Sequence, residues 1–137
     1  QPRSRGLGDV YKRQAQGLMF REQLAPDAGM LFILPAPQTM SMWMKNTLIP
    51  LDMVFIAYSY HEFSEPETIM DAIRRSLKPG GRLVIVEYAK ESKVAPASSL
   101  HKMSFDEIRG EIEPIGFDLD RILDFLPMQH GLIFTVR

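Results

Sequence analysis

The sequence predicts an α/β fold in which a strand, a helix, a strand, a helix and an antiparallel hairpin follow one another behind a small β-rich N-terminal segment. Two apolar runs without alternation, Met53–Tyr58 and Leu83–Val86, carry the pattern of strands covered on both faces in a parallel sheet. Between them Ile69, Ile73 and Leu77 recur every four residues and Met70 widens the stripe, so an amphipathic helix links the strands into one right-handed crossover unit. Further on, Leu119–Phe125 and Leu132–Val136 flank Pro127-Met128-Gln129, a connection short enough for a hairpin that closes the chain on an edge of the sheet.

In chain order, Leu18, Met19, Phe20 and Leu24 permit a short helical turn, ended by Pro26, Asp27 and Gly29. Met30–Leu34 reads as a buried strand stopped by Pro35, and Met40, Met42 and Met44 alternate with Ser41 and Trp43 as a second strand would. Ser64-Glu65-Pro66-Glu67 has the spacing of a capping box, with a proline in the first turn where its missing donor costs little. Arg74, Arg75 and Lys78 then complement the negative end of the helix dipole before Pro79-Gly80-Gly81 stops the helix. Residues 89–99 form a loop of the length that usually signals function or mobility. Ser104-Phe105-Asp106-Glu107 is a second capping box, and Ile108, Ile112 and Ile115 line the helix after it. Pro114 ends or kinks that helix near Glu113 because it cannot donate to the fourth preceding carbonyl.

At 137 residues, 45% hydrophobic and 24% charged, the composition is that of an ordinary globular domain with a modest core. A net charge of −1 supplies no long-range attraction to nucleic acid or anionic membranes, and no apolar run approaches a membrane span of ~20 residues. Neither partner is expected, and a cytoplasmic location is the default. The absence of cysteine removes disulfides, thiolate metal sites and cysteine nucleophiles.

Three resemblances divide the chain. Asp9-Val10-Tyr11-Lys12-Arg13-Gln14 is what GAT GTG TAT AAG AGA CAG encodes, a frame of a transposon end used as a sequencing adaptor, so residues 1–15 are read as a non-native tail and set aside. The alternative for this stretch is a basic arm carrying Arg3, Arg5, Lys12 and Arg13. Gly17-Leu18-Met19-Phe20-Arg21, Gly29-Met30-Leu31-Phe32 and Trp43-Met44-Lys45-Asn46-Thr47-Leu48-Ile49-Pro50-Leu51-Asp52 resemble a small β-rich bacterial family of uncharacterised role, which assigns it residues 16–51. Asp52–Phe63 and Leu77–Tyr88 resemble the back half of a class I S-adenosylmethionine-dependent methyltransferase. That resemblance assigns residues 52–137 to an incomplete Rossmann-like sheet, with Leu51–Ile56 as a seam that either parent would use as a buried strand.

The methyltransferase resemblance implies S-adenosylmethionine as cofactor and a small-molecule methyl acceptor as partner. It places Tyr58, Ser59, Tyr60 and His61 at the cofactor, at the carboxyl end of the junction strand, where open α/β sheets bind ligands. His61 or Glu62 would remove a proton from the methyl acceptor, given hydrogen-bond reach. The plainer alternative, in which His61 caps the strand end and Glu62 is solvated, is preferred on sequence alone. Glu87 and Tyr88 would line the same edge, against the alternative of ordinary strand-end polarity. No counterpart of the family's Gly-x-Gly-x-Gly turn, or of its ribose-binding acid, stands upstream of Asp52, since Gly6-Leu7-Gly8 follows no strand. The expectation is therefore a methyltransferase fragment that neither binds the cofactor nor turns over, with an exposed sheet edge prone to self-association. The alternative is a noncatalytic β-rich binding module spanning residues 16–56. No metal is expected: His61, His101 and His130 include no pair at the spacing of one helix face, and the methionine stripe reads as core packing rather than copper ligation.

Overall fold

The computed structural model describes residues 7–32 and 44–137, which fall into two compact units. In the first, helix α1 spans Leu7–Gln16 and ends at Gly17, whose φ of 58° and backbone N–H donating to the Arg13 carbonyl at 2.8 Å form a left-handed cap. The segment set aside as adaptor is thus helical from Leu7 onward, in keeping with a composition poor in β-branched residues and rich in Lys, Arg, Gln and Ala. After it come turns in place of the helical turn expected over Gln16–Leu24. The Phe20 amide donates to the Asn46 carbonyl at 2.9 Å, and both residues adopt positive φ. Met30–Phe32 is not a strand, so the described part of the N-terminal segment holds no β-structure. Residues 33–34 and 40–43 of the expected strands lie outside the described residues, and Met44 is irregular.

The second unit is a mixed sheet with helices. Strand β1 (Leu51–Ala57) leads through a 3₁₀ turn at Tyr60–Glu62 into α2 (Pro66–Ser76), and β2 (Leu77–Ala89) returns parallel to β1 with Val54 opposite Leu83 and Ile56 opposite Ile85. A 3₁₀ turn at Ser99–His101 precedes the two-residue β3 (Lys102–Met103), then α3 (Phe105–Ile112), β4 (Phe117–Ile122) and β5 (Gln129–Val136). The sheet order is β1-β2-β5-β4, β3 pairing with the end of β2. The final hairpin is antiparallel as expected, but β5 lies between β2 and β4, so β4 rather than the last strand forms that edge.

The predicted stripes become the core. Ile69, Met70, Ile73 and Leu77 from the first helical region and Ile108 and Ile112 from α3 join Ile56, Leu83, Ile85, Phe117, Leu132 and Phe134 in one buried cluster. Residues 83 and 85 share a sheet face, as do 132 and 134, which is where period-two alternation puts residues that pack against helices. Ser104 caps α3 with both reciprocal bonds of the capping box, its hydroxyl accepting from the Glu107 amide at 3.1 Å. The helix gives way at Glu113-Pro114-Ile115 to a 3₁₀ turn, as the missing proline donor requires.

Three details differ from expectation. Helix α2 ends at Ser76 with Leu77 extended, so Leu77, Lys78 and Pro79-Gly80-Gly81 open β2 instead of closing the helix. The N-cap of α2 is Glu65, not Ser64, with no side-chain cap, because Pro66 at the first helical position pins the start one residue later than the capping-box spacing suggests. The junction strand β1 is not covered on both faces: Met53 and Phe55 are 47% and 59% exposed, while Ile56 on the opposite parity is buried. Among the described residues β1 stands at the sheet edge, and the face that carries Met53 and Phe55 meets solvent. Lys78–Gly81 forms the irregular start of β2, where the register jumps from Leu51–Leu77 to Met53–Arg82. Gly80 there has a φ of +74°, and a Cβ on Gly81 would lie 2.8 Å from the Lys78 carbonyl oxygen. Among the described residues no helix is long and apolar enough to cross a membrane.

Candidate functional site

The parallel strands β1 and β2 finish side by side, and the chain leaving β1 turns sharply over the end of β2. Tyr58 makes that turn with a φ of 53°, a left-handed conformation costing about 1–3 kcal/mol for a residue with a bulky side chain. Three contacts over-determine it. Its amide donates to the Val86 carbonyl at 2.8 Å, its ring stacks on Tyr88 with centroids 4.5 Å apart, and its hydroxyl accepts from Gln129 Nε2 at 3.1 Å. The next residues are thereby thrown across the sheet end as the Tyr60–Glu62 turn.

That turn is anchored on Glu87, the one charged residue among those described that is fully buried, with no exposed surface. Its Oε1 accepts from the Tyr60 amide at 2.7 Å and its Oε2 lies 2.8 Å from His61 Nδ1. Burial pushes the Glu87 carboxyl above the usual carboxylate range, while the hydrogen bond from His61 opposes the shift. With Glu87 ionised, it can only accept, and a neutral His61 then donates from Nδ1 and turns its Nε2 lone pair away from Glu87. There Nε2 meets two neighbours. His101 Nδ1 is 3.1 Å away and Glu62 Oε1 3.2 Å away, and those two atoms are themselves 2.9 Å apart.

Tyr60 is buried and its hydroxyl donates to Glu111 Oε2 at 2.7 Å. Burial first, and then the Glu111 carboxylate, raise the phenol far above its ordinary value, so it stays protonated. Tyr60 and His61 border a shallow cleft of about 300 Å³ shared with Leu100, Lys102, Glu107 and Glu111.

The structure therefore gathers Tyr60, His61 and Glu62 on Glu87, while Tyr58 and Ser59 form the exit from β1 and Tyr58 turns onto Tyr88 and Gln129. Glu62 is not solvated: its side chain is only 16% exposed. Glu87 is not ordinary strand-end polarity but the buried post of the site. Sequence reasoning passed over His101 and Glu111 as site residues. No local signal pointed to them, because His101 arrives from forty residues further on and Glu111 looks like one more acid on the polar side of α3. The search for histidine pairs on one helix face could not register a set whose first two members are adjacent on a 3₁₀ turn. The arrangement can do two things chemically: hold a proton acceptor at His61 Nε2, oriented by a carboxylate, or offer nitrogen and oxygen lone pairs to a cation.

Among solved structures, a SAM-dependent methyltransferase from Aquifex aeolicus is similar with a TM-score of 0.60 at 21% identity, covering 77% of this chain and 55% of that one. A protein assigned as a type 11 methyltransferase from Sulfolobus solfataricus follows at 0.58 and 22% identity, covering 66% of this chain and 54% of that one. PigF, solved with SAH, is similar at 0.53 and 16%, covering 67% of this chain and 32% of that one. These likenesses show the fold: a mixed α/β sheet of methyltransferase type. The chain spans about half the length of the first two structures. No curated protein matches the sequence. A family model does match, over residues 7–91, reaching from α1 through β2 and past the seam on both sides. By that match, which covers more than half its length, the chain belongs to the family DUF192, described as an uncharacterized ACR.

Proposed function

We propose that residues 52–137 carry the C-terminal half of an S-adenosylmethionine-dependent methyltransferase domain, joined at Leu51–Ile56 to a DUF192 segment over residues 16–51, with residues 1–15 a non-native tail. In this reading Tyr58 and Ser59 face the cofactor edge, and His61, oriented by Glu87, is the base that would accept the proton of a small-molecule methyl acceptor. The observation that carries it is the Tyr60–Glu62 turn, fixed on buried Glu87 at the carboxyl ends of β1 and β2, where open α/β sheets hold their ligands. A carboxylate holding the far nitrogen of an imidazole fixes its tautomer and stabilises the imidazolium formed on proton transfer.

The chain is not expected to turn over by itself. The residues before Asp52 supply no glycine turn through which the backbone could approach the cofactor. Titration calorimetry with S-adenosylmethionine is expected to give no heat of binding at micromolar concentrations. Saturable micromolar binding would show that the cofactor site is intact and defeat the inactive-fragment reading.

A second reading follows from the family match over residues 7–91: a noncatalytic binding module in which the segment around residues 16–56 does the work. The two separate at the level of DNA. If independent molecules of source DNA read without interruption across the codons for Leu51–Ile56, the joined-fragment reading falls and the binding module gains.

A further inference from the structure

We propose that His61, Glu62 and His101 form a site for a divalent first-row transition cation of the zinc class, with Glu87 as its orienting carboxylate. His61 Nε2, His101 Nδ1 and Glu62 Oε1 make a nearly equilateral triangle with sides of 3.1, 3.2 and 2.9 Å. A cation bound to nitrogen and carboxylate oxygen at ~2.0–2.1 Å holds its ligands about 3.3 Å apart in a tetrahedron and about 2.9 Å apart on an octahedral face. The observed sides fall across that interval. Two imidazoles and one carboxylate are also a donor set that leaves a coordination position open for water or a small ligand.

A hydrogen-bonded cluster accounts for the same atoms less well. With a neutral His61 donating from Nδ1 to Glu87, the Nε2 lone pair and a Glu62 carboxylate oxygen, 3.2 Å apart, face each other as acceptors. The His101 Nδ1 proton can satisfy only one of the two. A cation at the centre of the triangle turns that repulsion into attraction for both.

The surroundings fit as well as the ligands. A ligating histidine ordinarily donates its other ring proton to a carboxylate, which fixes the ring and raises its basicity, and Glu87 does this from a fully buried position at 2.8 Å. Glu87 is itself held by the Tyr60 amide, so the support is rigid. His61 and Glu62 are mostly covered, while His101 is 44% exposed and gives an entry path from solvent. The site goes beyond methyl transfer and does not depend on it; because both use the His61 Nε2 lone pair, a bound cation and proton acceptance there exclude each other.

The full chain, stripped with chelator and shown by circular dichroism to be folded, is titrated with cobalt(II) and then with competing zinc(II). The expected result is one cobalt per chain with visible ligand-field absorption that zinc abolishes. His101→Ala, at a half-exposed position that spares the core, weakens binding by about tenfold or more. Glu87→Gln keeps the shape but donates to Nδ1 and so moves the His61 proton onto Nε2, weakening binding about 10–100-fold. Asp118→Asn, which alters only an exposed pair with Arg137 away from the site, binds as the parent does. A folded parent that takes up no cobalt, or a His101→Ala chain that binds as tightly as the parent, overturns the site. Neither outcome touches the methyltransferase reading, which calorimetry with S-adenosylmethionine tests separately.

Discussion

Replacing Glu87 tests whether one buried carboxylate holds the end of the sheet together. In Glu87→Ala the Tyr60 amide loses its acceptor at 2.7 Å and the His61 ring its partner at 2.8 Å, both where water is largely excluded. An unpaired buried donor costs about 1–3 kcal/mol, and removing one member of a buried pair about 3–5 kcal/mol in all, the small cavity included. For a domain of this size each kcal/mol moves the midpoint by ~3–5 °C, so Tm should fall by about 10–20 °C. Glu87→Gln keeps an oxygen for Tyr60 and offers an amide to His61 in its other tautomer, and should cost only ~1–2 kcal/mol. The pH dependence has a definite sign. Because burial raises the carboxyl above its ordinary value, the folded state holds that proton more tightly than the unfolded chain. Its contribution is therefore complete below the ordinary glutamate range and is lost as pH rises through the native value. Glu87→Gln cannot titrate, so its stability relative to the parent should improve as pH rises through that window. Urea and thermal unfolding followed by circular dichroism read all of this. A Glu87→Ala chain within ~1 kcal/mol of the parent would refute the anchoring role.

Two further outcomes are expected. Ser104→Ala removes the α3 capping box and should cost about 1 kcal/mol in urea unfolding. Lys90 first, and then the Ser104 amide, hold the Glu107 carboxyl below its ordinary value, so this stabilisation is present above the usual glutamate range and fades as pH falls through the lowered value. The parent is expected to associate with rising concentration in sedimentation velocity through the β1 edge, and Phe55→Lys, at a position 59% exposed there, to reduce that association without lowering Tm; a parent that stays monomeric, or association unchanged in the variant, would show that the β1 edge is not a contact.

What could be read from the sequence was what neighbouring residues determine among themselves. The recurrence of Ile69 and Ile73 and the proline at 114 act within a turn or two, and the structure follows them, although Leu77 is buried as the first residue of β2 and not as part of the helix. So does the Ser104 capping box. The α2 start missed by one residue because a proline and a capping box made competing local demands. The site was only half legible. The stretch Tyr58–Glu62 could be placed at a strand end, but Glu87 sits between β1 and β5 only once β5 has paired with β2, and His101 meets His61 only after the chain has passed through a helix, a strand and a loop. Local pattern carries no record of such partners, so a carboxylate inside an apolar strand run was the only clue to the anchor.

The placement of β5 bears on how the molecule comes to be folded. β5 is the last strand in sequence yet holds β2 on one side and β4 on the other. Until it arrives, β1 and β2 form one fragment and β4 has no strand beside it. During synthesis the inner edge of β2, the strand that carries Glu87, therefore stays unpaired from the completion of β2 at Ala89 until β5 begins at Gln129. Strand pairing across such sequence separations is slow and leaves edges open to other chains. The sheet should close late and in one step, with the cluster of Tyr60, His61 and Glu87 at its end completed only when β5 has been inserted.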